Sequence, residues 1–212
     1  MKPALGFLFV VFLFESCLNP FKKEEKELPE GESKISDTHF ISDKIGWGIR
    51  LPGKDWEVIV PKETRGLNTK TKQDIEKTLG VEIDDSRVRE LISFRKDSLN
   101  RFVAMIEPYR FSTDSEYEQV LTYQHEFFKA GYASKEIPAE YEMGATRIGG
   151  QMIDWFIIKA QSAGAEKTPI TLRLYNCLVN KQFFSLVVFS DNEKDMETLE
   201  GIVYSSKFSV KD

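Results

Sequence analysis

The sequence predicts an α+β domain, an antiparallel β-sheet flanked by helices. Three observations point there. Short runs rich in β-branched and aromatic residues recur between turn residues, and two pairs of them flank the dipeptides Gly149-Gly150 and Asn180-Lys181. Tyr117, Val120, Leu121, Phe127 and Phe128 recur at helical spacing between two groups of such runs. A second helical stripe, Met196, Leu199 and Val203, lies near the end of the chain.

The elements follow in order. Phe40-Ile41 and residues 47–51 read as short strands stopped by Pro52-Gly53, and residues 56–60 as another ended by Pro61. Residues 68–79 predict a modest helix, with Ile75 and Leu79 four apart and Gly80 in the stop position. Residues 91–95 and 102–108 read as a hairpin across the polar connection 96–100. Thr113 and Glu116 have capping-box spacing, so the long helix starts there, and Gly131 ends it. Strands at 142–148 and 151–160 join at Gly149-Gly150; strands at 170–179 and 182–189 join at Asn180-Lys181. The run Phe183, Phe184, Leu186 to Phe189 is apolar on both alternating faces, as a central strand covered on two sides must be. Asp191 is placed to cap the closing helix.

A chain of 212 residues, 41% hydrophobic and 30% charged, holds one core and a tail. That balance excludes a long repeat array, a disordered acidic protein and a multi-pass membrane protein. A net charge of −5 argues against a nucleic-acid partner, which calls for a dominant basic face.

The first residues carry an address. From Ala4 to Phe14 the chain is almost uninterruptedly apolar after a single Lys2, too short to cross a bilayer but the length of a secretory core. It runs into Glu15-Ser16-Cys17, which resembles the lipobox of bacterial lipoproteins. Phe14 and Glu15 depart from the common residues there, a looseness that spirochaete and Bacteroidetes lipoproteins tolerate. The resemblance implies cleavage after residue 16, a diacylglycerol-bearing Cys17, and a place on the bacterial cell envelope, at the outer membrane. An ordinary secretory signal and an uncleaved anchor are the alternatives. Residues 17–38 then read as a flexible charged tether, with Lys22 to Glu27 followed by Pro29 and Gly31, and residues 39–212 as a single domain.

Three stretches of that domain resemble the PsbP-like family, named for an accessory protein of photosystem II. They are Trp47-Gly48-Ile49-Arg50-Leu51-Pro52 with Lys54-Asp55-Trp56-Glu57-Val58, the long helix after a hairpin, and the closing helix running into Ser206-Lys207-Phe208. The resemblance implies an α/β/α sandwich over roughly residues 39–210 and a non-catalytic accessory or binding role. It carries no catalytic residue, and the lipobox-like start argues against a photosynthetic one.

Catalytic signatures are sparse. The sequence has no G-x-S-x-G, H-E-x-x-H, P-loop or G-x-G-x-x-G, and no cofactor or metal is expected. His39 and His125 are its near-neutral bases, each expected in a structural or surface position. The acidic cluster Glu82, Asp84 and Asp85 reads as a solvated loop, and Cys177 as a small buried hydrophobe within a strand. Asp154 interrupts an apolar strand, so it faces outward or partners an arginine such as Arg173. Trp47 and Trp56 flank a Pro-Gly turn and either line a groove or plug the sandwich edge. Trp47, Trp56, Asp154 and Arg173 therefore form the candidate binding surface. The expected function is a lipid-anchored envelope binding or accessory protein, with the membrane held through Cys17 and a protein partner of unassigned identity. The alternatives are an envelope hydrolase or metal-dependent enzyme using His125, Asp154 or the 82–85 cluster, and a small-ligand carrier.

Overall fold

The computed structural model describes residues 33–59, 87–109, 113–134, 136–161 and 168–209. Its strands are β1 (Ser33–Ile35), β2 (His39–Ser42), β3 (Trp47–Arg50), β4 (Glu57–Ile59), β5 (Arg89–Arg95) and β6 (Arg101–Pro108). Helix α1 (Asp114–Ser134) follows, then β7 (Ala139–Ile148), β8 (Gln151–Gln161), β9 (Pro169–Val179) and β10 (Gln182–Ser190). Helix α2 (Glu193–Tyr204) and β11 (Lys207–Phe208) close the described chain.

Seven strands form one antiparallel sheet in the order β4-β5-β6-β10-β9-β8-β7. The all-apolar run of β10 takes its middle place, as the sequence predicts, and eight of its nine residues are buried. Both hairpin turns are tight for the expected reason: Gly149, Gly150, Asn180 and Lys181 all have positive φ, matching the twist of the flanking strands. Gly149 has a second constraint, since a Cβ there would lie 2.4 Å from the Ser206 carbonyl.

Alternation along the strands divides the core. One face of the large sheet gives Phe156, Ile158, Leu172, Leu174 and Val187, covered by Phe127, Phe128 and Tyr132 of α1. The opposite face gives Phe94, Phe102, Tyr175, Phe184 and Leu186 to α2 and to the second sheet. That sheet has four strands in the order β1-β2-β3-β11. The expected α+β architecture is thus present, with a small extra sheet beside α2.

Several boundaries differ. Ser33–Ile35 pairs with Phe40–Ser42, so strand structure begins inside the expected tether rather than at His39. Helix α1 continues through Gly131 to Ser134, because the next residue, Tyr132, is buried on the sheet and its packing outweighs the glycine's weak helix propensity. The cap of α2 is Asn192, whose side chain accepts from the Asp195 amide. Asp191 instead accepts from the Asn100 and Asn192 amides. The expected helix at 68–79, Glu82–Asp85 and everything before Ser33, Cys17 included, lie outside the described residues.

Candidate functional site

The register of three neighbouring strands brings one polar residue from each into a single row. Asp154 of β8 stands opposite Asn176 of β9, and Asn176 opposite Ser185 of β10. The row lies beneath α1. Tyr117 of the helix donates its hydroxyl to Asp154 Oδ2 at 2.6 Å, and Asn176 Nδ2 donates to Gln124 Oε1 at 2.8 Å. Ser185 Oγ completes it by donating to Asn176 Oδ1, also at 2.8 Å. Gln124, Asn176 and Ser185 are all buried. Each is therefore costly to leave unpaired, and each is paired.

The chemistry of these groups follows from their partners. Ser185 faces an amide oxygen, which accepts a hydrogen bond but takes no proton, so it has no adjacent base to make it a nucleophile. Burial, and then the bond to Asp154, pushes the Tyr117 hydroxyl well above its ordinary range and keeps it a donor. His125 lies on the same helix with its ring stacked on Phe156, centroids 4.2 Å apart. Burial first, and Lys129 second, lower its pKa, so the imidazole is neutral at pH 7. The arrangement ties a helix to a sheet through satisfied hydrogen bonds and leaves Asp154 half-buried at its end.

The residues expected to form a binding surface do not come together. Trp47 is fully buried, donates Nε1–H to Ser206 Oγ at 3.1 Å and packs 4.7 Å from the Phe184 ring. Trp56 is buried in the same cluster, so both tryptophans plug the sandwich and neither lines a groove. Arg173 pairs with Glu200 of α2 rather than with Asp154. The reason is register: Arg173 stands opposite Ile157, three positions from Asp154 and so on the other face of the sheet. The expected alternative for Asp154, an outward position, is half met, since it points away from the α2 layer but towards Tyr117.

The remaining candidates are structural in their contacts. His39 is exposed, with Nδ1 2.8 Å from Thr38 Oγ1. Cys177 is buried and its thiol is pushed up to about 12, by burial and then by Asp154, so it is no thiolate at neutral pH. Among the described residues, no three His, Cys, Asp or Glu side chains gather as a metal site. No helix among them is long and apolar enough to cross a membrane.

Tyr117, Gln124, Asn176 and Ser185 were missing from the sequence expectations for a site. Gln124 had a visible signal, falling one helical repeat after Val120 and before Phe128 in the apolar stripe. Asn176 and Ser185 likewise interrupt apolar runs, yet only the strand register shows that they meet.

No family model matches the chain, and no curated protein matches it. Solved structures do. The chain is similar to the cyanobacterial PsbP (CyanoP) of Synechocystis sp. PCC 6803, at 11% identity and a TM-score of 0.48, over 88% of this chain and 98% of that one. A likeness at that identity and TM-score brings no function with it.

Proposed function

We propose that the chain is a lipid-anchored accessory or binding protein of a bacterial cell envelope, acting through contact rather than covalent chemistry. The observation that carries this reading is the apolar run from Ala4 to Phe14 entering Glu15-Ser16-Cys17, with a charged stretch directly after it. Processed before Cys17, the chain would keep its net charge of −5, because Lys2 and Glu15 leave together. Acyl chains on Cys17 would each contribute about 0.8 kcal/mol per buried methylene, enough with several chains to hold a soluble domain on a bilayer. The domain's interior supports the non-catalytic part. Ser185, the half-buried Tyr117 and Cys177 each lack what would activate them: Ser185 a base, Tyr117 and Cys177 a lowered pKa.

Detergent phase partitioning of cells expressing the full chain tests the anchor. The wild type enters the detergent phase, whereas Cys17→Ala and globomycin-treated cells accumulate a larger precursor. Unchanged size and partitioning under both treatments would refute the lipoprotein reading.

A further inference from the structure

We propose that two copies of this chain join edge to edge through β7, continuing the large sheets of both into one. The sheet has two edges of unequal character. At one end, β4 has three described residues. At the other, β7 pairs with β8 through ten consecutive positions without a bulge, and among the described residues no strand pairs with its outer side. An edge strand of that length is ordinarily blunted by proline, a bulge or outward charges. Residues 139–148 contain no proline. Glu142 is turned inward to Lys159 at 2.7 Å, and Arg147 donates to the Gly150 carbonyl at 3.0 Å, so two of the strand's three charges are engaged within the hairpin.

The strand is also complementary to itself. A two-fold axis normal to the sheet keeps every side chain on its own face, so it pairs residues of equal parity. With the axis at Gly144, Met143 meets Ala145 of the second copy, Glu142 meets Thr146, Tyr141 meets Arg147, and Glu140 meets Ile148. No like charges stand opposite, and the guanidinium comes over an aromatic ring, both favourable cross-strand pairings. Met143 is 55% exposed in the single chain, and this register gathers both copies of Met143 and Ala145 around the axis. On the other face the Trp155 ring packs over Gly144, 2.5 Å from where a Cβ would be, so Gly144 itself adds no side chain at the axis.

Sedimentation equilibrium of the full chain in density-matched detergent, over a concentration series, reads the mass directly. The wild type should rise to twice the single-chain mass. Met143→Lys and Met143→Glu chains, each with like charges near the axis, should stay at the single-chain mass, and an equimolar mixture should recover the doubled one. A wild type that stays single, variants that associate as it does, or a mixture that fails to recover would each overturn the proposal. If either charged chain loses the wild-type far-UV spectrum, Met143→Cys and Ala145→Cys chains, both also Cys17→Ala, replace them. Oxidation should join the two kinds of chain into a disulfide heterodimer, and its absence would count as overturning.

Discussion

Asn176 holds two strands and a helix through one amide, donating to Gln124 and accepting from Ser185. Replacing it with alanine strands both partners in the interior. Asn176→Ala should therefore lower stability by at least about 2 kcal/mol, from about 1–3 kcal/mol per buried group left unpaired. The check is a lower urea midpoint with an unchanged slope. His125 supplies a pH dependence. Its folded pKa is depressed, so the unfolded chain takes up the proton first as pH falls. The stabilisation it gives is complete above the ordinary value of about 6.5 and is lost below it, down to the folded pKa. Urea midpoints should drop as the pH falls below about 6.5, and drop less in His125→Gln, which has no ring to titrate. A residue's type was legible in the sequence, but its face was not. Asp154 and Arg173 look like possible partners until β8 and β9 are aligned, and alignment depends on where two hairpins turn.

Those hairpins were the most legible elements. Gly149-Gly150 and Asn180-Lys181 demand positive φ, and long alternating runs flank them, so turn and strand name each other. The small sheet was far less legible because its strands have two to four residues, too few to show a period. Helix ends fell between these cases. The start of α1 shows in Thr113, whose hydroxyl accepts from the Glu116 amide at 3.3 Å, while its end overruns a glycine because of a buried tyrosine downstream. At α2, Asp191 and Asn192 are both good cap residues, and packing chose the second. Asn192 also donates to Asp195, which Lys96 holds at 2.8 Å from the β5–β6 turn. Burial alone would raise the Asp195 pKa; the Lys96 and Asn192 bonds outweigh it and lower it. Asn192→Ala should cost about 1 kcal/mol as a lost cap. Hydrogen exchange should localise the loss to the first turn of α2 and the 96–100 turn, leaving α1 unchanged.

For the molecule as a whole, the three layers follow from patterning: one long amphipathic helix, a sheet apolar on both faces, and a second layer against its far side. A chain with 41% hydrophobic residues in this arrangement has a core without any disulfide among the described residues. The proposed function rests on the first seventeen residues, where the chemistry of a single cysteine would separate a free domain from an anchored one. Intact-mass and fragmentation spectrometry of the chain purified from bacterial membranes tests that most directly. The lipid-anchor proposal predicts a mature chain beginning at Cys17, with the added mass of a diacylglyceryl group on that residue. A chain that begins elsewhere, or one with an unmodified Cys17, would contradict it.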